Sequence, residues 1–248
     1  MSPPILTYHK ICKFDVGGTW VTPLQFESHI KFLKKKGINL CTISDALKGK
    51  GTGLSFDDGY ENFYTYGKDI LLKYGYRATI FVIAGFIGKE NNWDVNFGVK
   101  FKHLNRKQIK ELADLGFEIG SHTLTHRDLT KLPENEIKKE LKESKKILED
   151  ITGKEVKYLS YPFGRYNERI EEILCEEGYE RGFSINPFKN GDITIGRVGV
   201  YLIDFNDFLF YKLGADGISF LEKVKSSVIN YFSNLSAFYK FMLKKRKG

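Results

Sequence analysis

One punctuation recurs along the chain. A charged amphipathic stretch ends at glycine, and an aromatic or aliphatic residue then opens an apolar run. It occurs at Gly37-Ile38, Gly75-Tyr76, Gly116-Phe117 and Gly178-Tyr179. Glycine just past a helix takes the left-handed conformation that caps it, so the pattern predicts four helix ends. Residues 78–83 after Gly75 form a continuous apolar run, suited to a parallel strand buried on both faces. Phe117-Glu118-Ile119-Gly120 and the run 181–185 repeat the motif. Helix starts are also marked. Thr22-Pro23 reads as N-cap and first helical position before 24–36. Asn105 can cap 106–115, and Asn167 can cap 168–177. Pro133 can open a charged helix to Asp150 with Ile137, Leu141, Ile147 and Leu148 on one side. Helix, glycine and strand in this alternation predict an α/β fold around a parallel sheet, open or closed. The spacing varies, so this is not a sequence repeat.

From about Phe205 the chain turns rich in Phe, Tyr, Leu and Ile, and it ends Lys244-Lys245-Arg246-Lys247. Residues 227–243 can form an amphipathic helix, either docked on the core with a frayed basic end or adhering weakly to a membrane surface. The expected division is a main unit over 1–204 and a helical, aromatic and basic extension over 205–248, packed on the same domain.

The 248 residues are 42% hydrophobic and 15% aromatic, which suffices for one large core. A single α/β barrel of about 250 residues fits that length. The formal charge of +8 reads first as a Lys-rich solvated surface and second as attraction to an anionic one. No nucleic-acid-binding signature accompanies it. Cys12, Cys41 and Cys175 are odd in number and show no CxxC spacing, which excludes a disulfide framework. The N-terminus shows no basic region followed by an apolar one, and no apolar run approaches a membrane span. A cytoplasmic chain is therefore expected, or an extracellular one if a leader has been removed.

Two short stretches change the picture. Leu54-Ser55-Phe56 is a strand-like run that ends in Asp57-Asp58-Gly59, and Tyr60 onward reads as helix. Asp-Gly by itself is a turn signal. At the C-terminal end of a strand in a βα unit it lies where sites are built, and a chain turning through Gly59 lets both carboxylates lean into one pocket. His122 and His126 follow the second strand-like run; in one helical turn both rings would share a face. Alone they could be surface or capping histidines. Two imidazoles and one carboxylate leave a coordination position open, the catalytic rather than structural pattern. Tyr161-Pro162-Phe163-Gly164 ends a third apolar stretch, either as a plain Pro-Gly loop or as an aromatic wall with backbone donors.

Ser55-Phe56-Asp57-Asp58-Gly59, Ser121-His122-Thr123-Leu124-Thr125-His126 and Tyr161-Pro162-Phe163-Gly164 resemble, in order, the first three motifs of the polysaccharide deacetylase family, the NodB-homology group or carbohydrate esterase family 4. The resemblance covers about residues 5 to 200. The opening Ile5-Leu6-Thr7-Tyr8-His9 and the stretch Tyr161-Pro162-Phe163-Gly164-Arg165-Tyr166-Asn167 look most like the poly-β-1,6-N-acetylglucosamine deacetylase branch. The resemblance implies a distorted (β/α) barrel of seven or eight mostly parallel strands. It implies Asp58, His122 and His126 as ligands of one divalent metal (Zn²⁺, with Co²⁺ or Ni²⁺ as substitutes), Asp57 as general base, and Tyr161, Pro162 and Phe163 against substrate. The expected reaction is hydrolytic removal of acetyl groups from a GlcNAc-containing polysaccharide or sugar conjugate, with an oxyanion donor near Tyr161.

Two motif pieces are missing. Ser160 stands where the third motif carries an Arg that orients the base, and Arg197, after another β-like run, is the candidate replacement. No histidine follows His126, so the late Leu-x-His that supplies the general acid is absent, and His9 is the remaining candidate. Two alternatives stay open: hydrolysis of another non-peptide C–N bond in a small molecule, or a degenerate metal-containing glycan-binding module.

Overall fold

The computed structural model describes residues 3–15, 18–91, 100–187 and 190–213. The first elements are β1 (Ile5–Tyr8), β2 (Lys10–Ile11), β3 (Trp20–Val21), α1 (Pro23–Lys35), β4 (Leu40–Cys41), α2 (Ile43–Leu47) and β5 (Thr52–Phe56). Then come α3 (Lys68–Tyr74), β6 (Thr79–Val82), α4 (Arg106–Asp114), β7 (Glu118–Ser121), α5 (Glu134–Thr152) and β8 (Tyr158–Ser160). The last are α6 (Glu168–Glu176), β9 (Arg181–Ser184), β10 (Thr194–Gly196), β11 (Val198–Gly199) and α7 (Asn206–Leu213).

Local signals place most of these boundaries. Thr22 Oγ1 accepts the Gln25 N–H at the start of α1. Asn105 and Gln108 form a reciprocal capping box on α4, and Asn167 caps α6. Gly37, Gly75, Gly116 and Gly178 are all left-handed. Two details differ from expectation. Pro133 is the N-cap of α5 and not its first helical residue, and the helix runs on to Thr152 before the left-handed Gly153 ends it. The segment after Tyr60 winds one wide π-type turn, Phe63–Gly67, before α3 begins.

The main sheet is wholly parallel, in the order β10-β9-β8-β7-β6-β5-β1-β11, with β4 also paired to β5. β2 and β3 form a separate small parallel pair. The path has eight strands, and its two ends adjoin in sequence: β10 stops at Gly196 and β11 starts at Val198. One continuous strand thus pairs with β9 through its first half and with β1 through its second. Only Arg197 stands between them. The sheet therefore curls into a nearly closed barrel with this residue at its seam, as the NodB-like reading expects.

Alternation along each strand separates two interiors. Ile5, Phe81, Tyr158, Phe183 and Ile195 point inward and pack with Ile43 of α2. Leu6, Tyr8, Leu54, Phe56, Ile80 and Leu159 point outward into the larger core beneath α1, α4, α5 and α6. The floor of the barrel is plugged by α2, where Glu118 accepts from Ser44 N at 3.3 Å and Thr79 Oγ1 at 2.5 Å. Cys12 and Cys41 are buried free thiols and Cys175 is exposed.

Of the expected extension, α7 is described, and residues 214–248, with the helix expected at 227–243 and the basic end, lie outside the described residues. α7 lies on α1, with the Phe210 and Phe32 ring centroids 6.5 Å apart. No described helix is long and apolar enough to cross a membrane. Buried Lys212 fastens α7 to the seam, donating to Gly199 O and Asp204 Oδ2, each at 2.8 Å. Asp204 Oδ2 also accepts the Tyr201 N–H at 2.7 Å. Removing one partner of a buried pair leaves the other charge uncompensated. Lys212→Met is expected to cost about 3–5 kcal/mol in urea unfolding. A loss under about 1 kcal/mol, the range of exposed pairs, would show that the pair does not anchor the seam.

Candidate active site

The barrel mouth is built from the residues that follow the inward-facing positions at the strand ends. The Asp57 N–H continues the β1–β5 ladder by donating to Tyr8 O at 2.9 Å. The His122 N–H does the same onto Val82 O at 2.9 Å. The Arg197 N–H donates to Ser184 O at 2.8 Å. Each of these side chains inherits the inward parity of its strand, and so does His9, two residues beyond inward-facing Thr7.

Beyond the strand ends the backbone leaves ordinary conformations. The described non-glycine residues with positive φ are Asp58, Thr123, His126 and Phe163, all at this mouth. Such residues cost free energy and persist only where the surroundings enforce them. At Asp58, a φ of 70° breaks the strand alternation, so two consecutive carboxylates face one pocket. Gly59 follows, also left-handed, with a hypothetical Cβ 3.1 Å from the Val82 backbone. The expected helical turn from His122 to His126 is absent; a loop with left-handed Thr123 and His126 takes its place. It still brings the rings together, with centroids 4.8 Å apart.

His122 Nε2 lies 3.4 Å and His126 Nε2 3.7 Å from Asp58 Oδ1. One ligand atom from each of the three residues falls within 4.8 Å of the others. Donors about 2.0–2.2 Å from one tetrahedral ion stand about 3.3–3.6 Å apart, close to the two Asp58–His separations, so the cluster suits a divalent metal. The buried Asp58 Oδ1 has no hydrogen-bond partner among the described residues, which an ion would remedy. His122 Nδ1 donates to Ser160 O at 2.7 Å, which turns the lone pair of Nε2 toward Asp58. Burial pushes the His126 imidazole down to about 3, so it is neutral, as a metal ligand must be. Burial also disfavours the charged form of His122, but the neighbouring carboxylates of Asp58 and Asp57 override it and raise the pKa.

Asp57 is held differently. Arg197 donates from Nη1 to Oδ1 at 2.8 Å and from Nη2 to Oδ2 at 2.7 Å, a bidentate pair. Ser160 Oγ accepts from Arg197 Nη2 at 2.7 Å and donates to Asp57 Oδ2 at 3.0 Å. Ser55 Oγ accepts from Arg197 Nη1 at 3.1 Å. The guanidinium is fully buried, with its carbon 5.0 Å from the Phe81 ring centroid and 5.9 Å from that of Phe183. Burial alone would raise the Asp57 pKa, but the Arg197 charge outweighs it and holds the carboxyl below the usual range. Ser160 thus works with Arg197, from positions 37 residues apart, where a single Arg was expected.

The remaining candidates divide. His9 is partly buried, and its Nδ1 is enclosed without a hydrogen-bond partner. Burial lowers its pKa against the opposing charges of Asp58 and Asp57. Phe163 sits at the rim, its ring centroid 4.9 Å from that of His126. Tyr161 and Pro162 are buried, and the Tyr161 side chain turns away from the mouth. Its ring stacks on Tyr166 at 5.1 Å and its hydroxyl meets Thr194 Oγ1 at 3.1 Å. Its N–H is already donated to Phe183 O at 3.0 Å, so it is unavailable to an oxyanion. The alternation after Ser160 sends position 161 outward, which is the physical reason.

Sequence reasoning missed two supports. His103 Nδ1 donates to the Asp58 carbonyl at 2.9 Å, and its ring stacks on Tyr60 at 4.8 Å. Glu140 of α5 accepts the N–H groups of Leu124 and Thr125 at 2.9 and 2.8 Å. The available signal was weak: Glu140 and Ser144 interrupt the apolar stripe of α5.

A family model described as polysaccharide deacetylase matches residues 44–182. The Bacillus subtilis (strain 168) protein YxkH, whose name places it among the polysaccharide deacetylases, is 33% identical over 193 residues, 74% of this chain. The poly-beta-1,6-N-acetyl-D-glucosamine N-deacetylase of Staphylococcus aureus (strain MSSA476) is 31% identical over 66% of this chain. The chain spans 64% and 61% of the lengths of these two relatives. The crystal structure of BC0361, a polysaccharide deacetylase from Bacillus cereus, is similar at a TM-score of 0.72 with 27% identity, covering 86% of this chain and 69% of that one.

The buried Arg197–Asp57 pair should be visible in the metal-free protein. Replacing Arg197 by Met strands a buried carboxylate and is expected to cost about 3–5 kcal/mol in urea unfolding at pH 7. Because the folded pKa of Asp57 is depressed, the pair stabilises above the unfolded carboxylate value of about 3.9 and loses this as pH falls through the folded value. The deficit of Arg197→Met should therefore shrink as the pH is lowered through about 4. A deficit independent of pH would show that packing, not charge, explains the loss.

Proposed function

The chain belongs to the polysaccharide deacetylase family, and we propose that it is a hydrolase that removes acetyl groups from a GlcNAc-containing polysaccharide or sugar conjugate. One observation carries this reading. An aspartate kept anionic by a buried guanidinium shares a pocket with a ligand triangle suited to a divalent metal. A module that only bound glycan would have no use for a second, oriented carboxylate beside its metal. The poly-β-1,6-N-acetylglucosamine specificity named for the staphylococcal relative supports the substrate class.

In this proposal Asp58, His122 and His126 hold the ion, and the two-imidazole, one-carboxylate set favours zinc. When bound, it supplies acidification of a water and polarisation of the acetamide carbonyl. Asp57 takes the proton of the attacking water. Arg197 and Ser160 occupy both of its oxygens from behind, which fixes the carboxylate plane and keeps the group ionised. His9 gives a proton to the departing amine. Its place two residues beyond inward-facing Thr7 and its enclosed, unpartnered Nδ1 support that role. Phe163 forms part of the rim against which a sugar ring packs; Tyr161, whose side chain and N–H are engaged elsewhere, supports that loop from behind.

The direct test is acetate release from N-acetylglucosamine oligomers by the metal-loaded protein. No release from β-1,6- or β-1,4-linked oligomers, with glycan binding retained, would replace the enzyme reading with the binding-module one. His122→Ala and His126→Ala are each expected to lower metal content; unchanged occupancy in both would refute the ligand set. Asp57→Asn is expected to keep the metal and lose on the order of 10²-fold or more in rate. His9→Gln is expected to lower turnover with metal content unchanged, and full activity in that variant would leave the proton donor elsewhere.

A further inference from the structure

The loop from His122 to His126 poses a problem that its own residues do not solve. His122 is fixed by the sheet, since its N–H bonds to Val82 O. His126 lies four residues on, past left-handed Thr123, and is itself left-handed. The backbone there is neither helix nor strand, so the N–H groups of residues 124 and 125 need partners from elsewhere. Helix α5 supplies one. Glu140 is 1% exposed, and its Oε2 accepts both N–H groups. Its Oε1 accepts the Thr125 hydroxyl, and Arg127 Nε donates to the same oxygen at 3.1 Å. Arg127 also pairs with Glu136, one turn earlier on α5.

A second link runs from the next turn of the helix. Ser144 Oγ lies 2.8 Å from Ser121 Oγ, which accepts the Thr123 N–H at 3.1 Å. Thr123 Oγ1 then accepts the His126 N–H at 3.0 Å. The buried face of α5 includes Ile137, Glu140, Leu141, Ser144 and Leu148. A carboxylate in such a stripe is costly unless its oxygens are occupied, and here the loop occupies both.

We propose that Glu140 is a positioning residue that sets the place of His126 relative to His122, and through it the affinity of the site for its metal. This rests on the reading of Asp58, His122 and His126 as ligands. Without the carboxylate, two N–H groups lose their acceptor. Thr123 and His126 then have less reason to stay in a disfavoured backbone region, and the His126 imidazole moves off the triangle. The role is distinct from plain packing because its effect appears as affinity in protein that remains folded.

The test measures Zn²⁺ affinity by competition with a chromophoric chelator, at a temperature where circular dichroism shows each apo variant folded. Glu140→Ala is expected to weaken binding about 10–100-fold, the usual scale for loss of a group that orients a ligand. Glu140→Gln should fall between, since an amide oxygen can hold the two N–H groups while its NH₂ faces the Arg127 donor. It also serves if the Ala variant fails to fold. The comparison is Glu171→Ala. That carboxylate is also buried and ties another segment, accepting from Ile193 N at 3.2 Å and Thr194 Oγ1 at 2.6 Å, and it touches no part of the histidine loop. It should lower thermal stability and leave affinity unchanged. Wild-type affinity in Glu140→Gln and Glu140→Ala, or an equal loss in Glu171→Ala, would overturn the proposal while the ligand reading stands. Absence of Zn²⁺ binding by the unsubstituted protein would defeat the ligand reading itself and the proposal with it.

Discussion

The buried pairing of Arg197 with Asp57 is the constraint on which the barrel mouth turns. Arg197 is the single residue between the two halves of the strand that closes the sheet. A guanidinium at that position must enter the interior, where it would be intolerable without compensation. Ser55 of β5, Asp57 at its end and Ser160 of β8 accept from its two Nη groups, and the Phe81 and Phe183 rings lie beside it. The same contacts join the seam to the ends of β8 and β5, each two strands away, one on either side. Closure of the fold and orientation of the carboxylate are therefore one interaction.

Strain at this mouth is matched by specific restraints. Left-handed Asp58 is gripped through its carbonyl by His103. Left-handed Thr123 and His126 are tied to α5 through Glu140 and Ser144. Phe163, also left-handed, packs against His126. Arg165, two residues later, pairs with Asp128 beyond the histidine loop at 2.6 Å. Each unfavourable backbone torsion buys an aim that regular structure cannot provide, and buried polar groups on neighbouring elements hold it there.

The departure at Ser160 shows how one geometry is reached by another route. A guanidinium has to meet the outer edge of Asp57, but the strand that carries it is free to vary. On β8 a serine leaves room for the longer reach from the seam. Its hydroxyl both accepts from Arg197 and donates to Asp57. The triangle of oxygen and nitrogen donors does not depend on that choice, because it is built at the ends of β5 and β7 and held there by His103 and by Glu140 of α5.

Much of the architecture was legible in the sequence because its signals are local. Thr22, Asn105 and Asn167 cap helices through their own side chains, and Gly37, Gly75, Gly116 and Gly178 end them through their own torsions. Asp57, Asp58, His122 and His126 stood out because they follow apolar runs, and a parallel strand delivers its next residues to a common edge. The sequence by itself thus determined the alternation of elements and which strand ends carry chemistry. It did not settle what Arg197 touches, since its partner is 140 residues away and their meeting depends on the curvature that closes the sheet. Nor did it place Tyr161, whose direction follows from the register of β8 in the barrel, or the loop at His126, whose torsions contradict a helical turn. The roles of His103 and Glu140 were equally hidden. Backbone hydrogen bonding confines local structure to a few choices within one or two turns, whereas contacts across a barrel exist only once every strand is in register, and that register is a property of the whole chain.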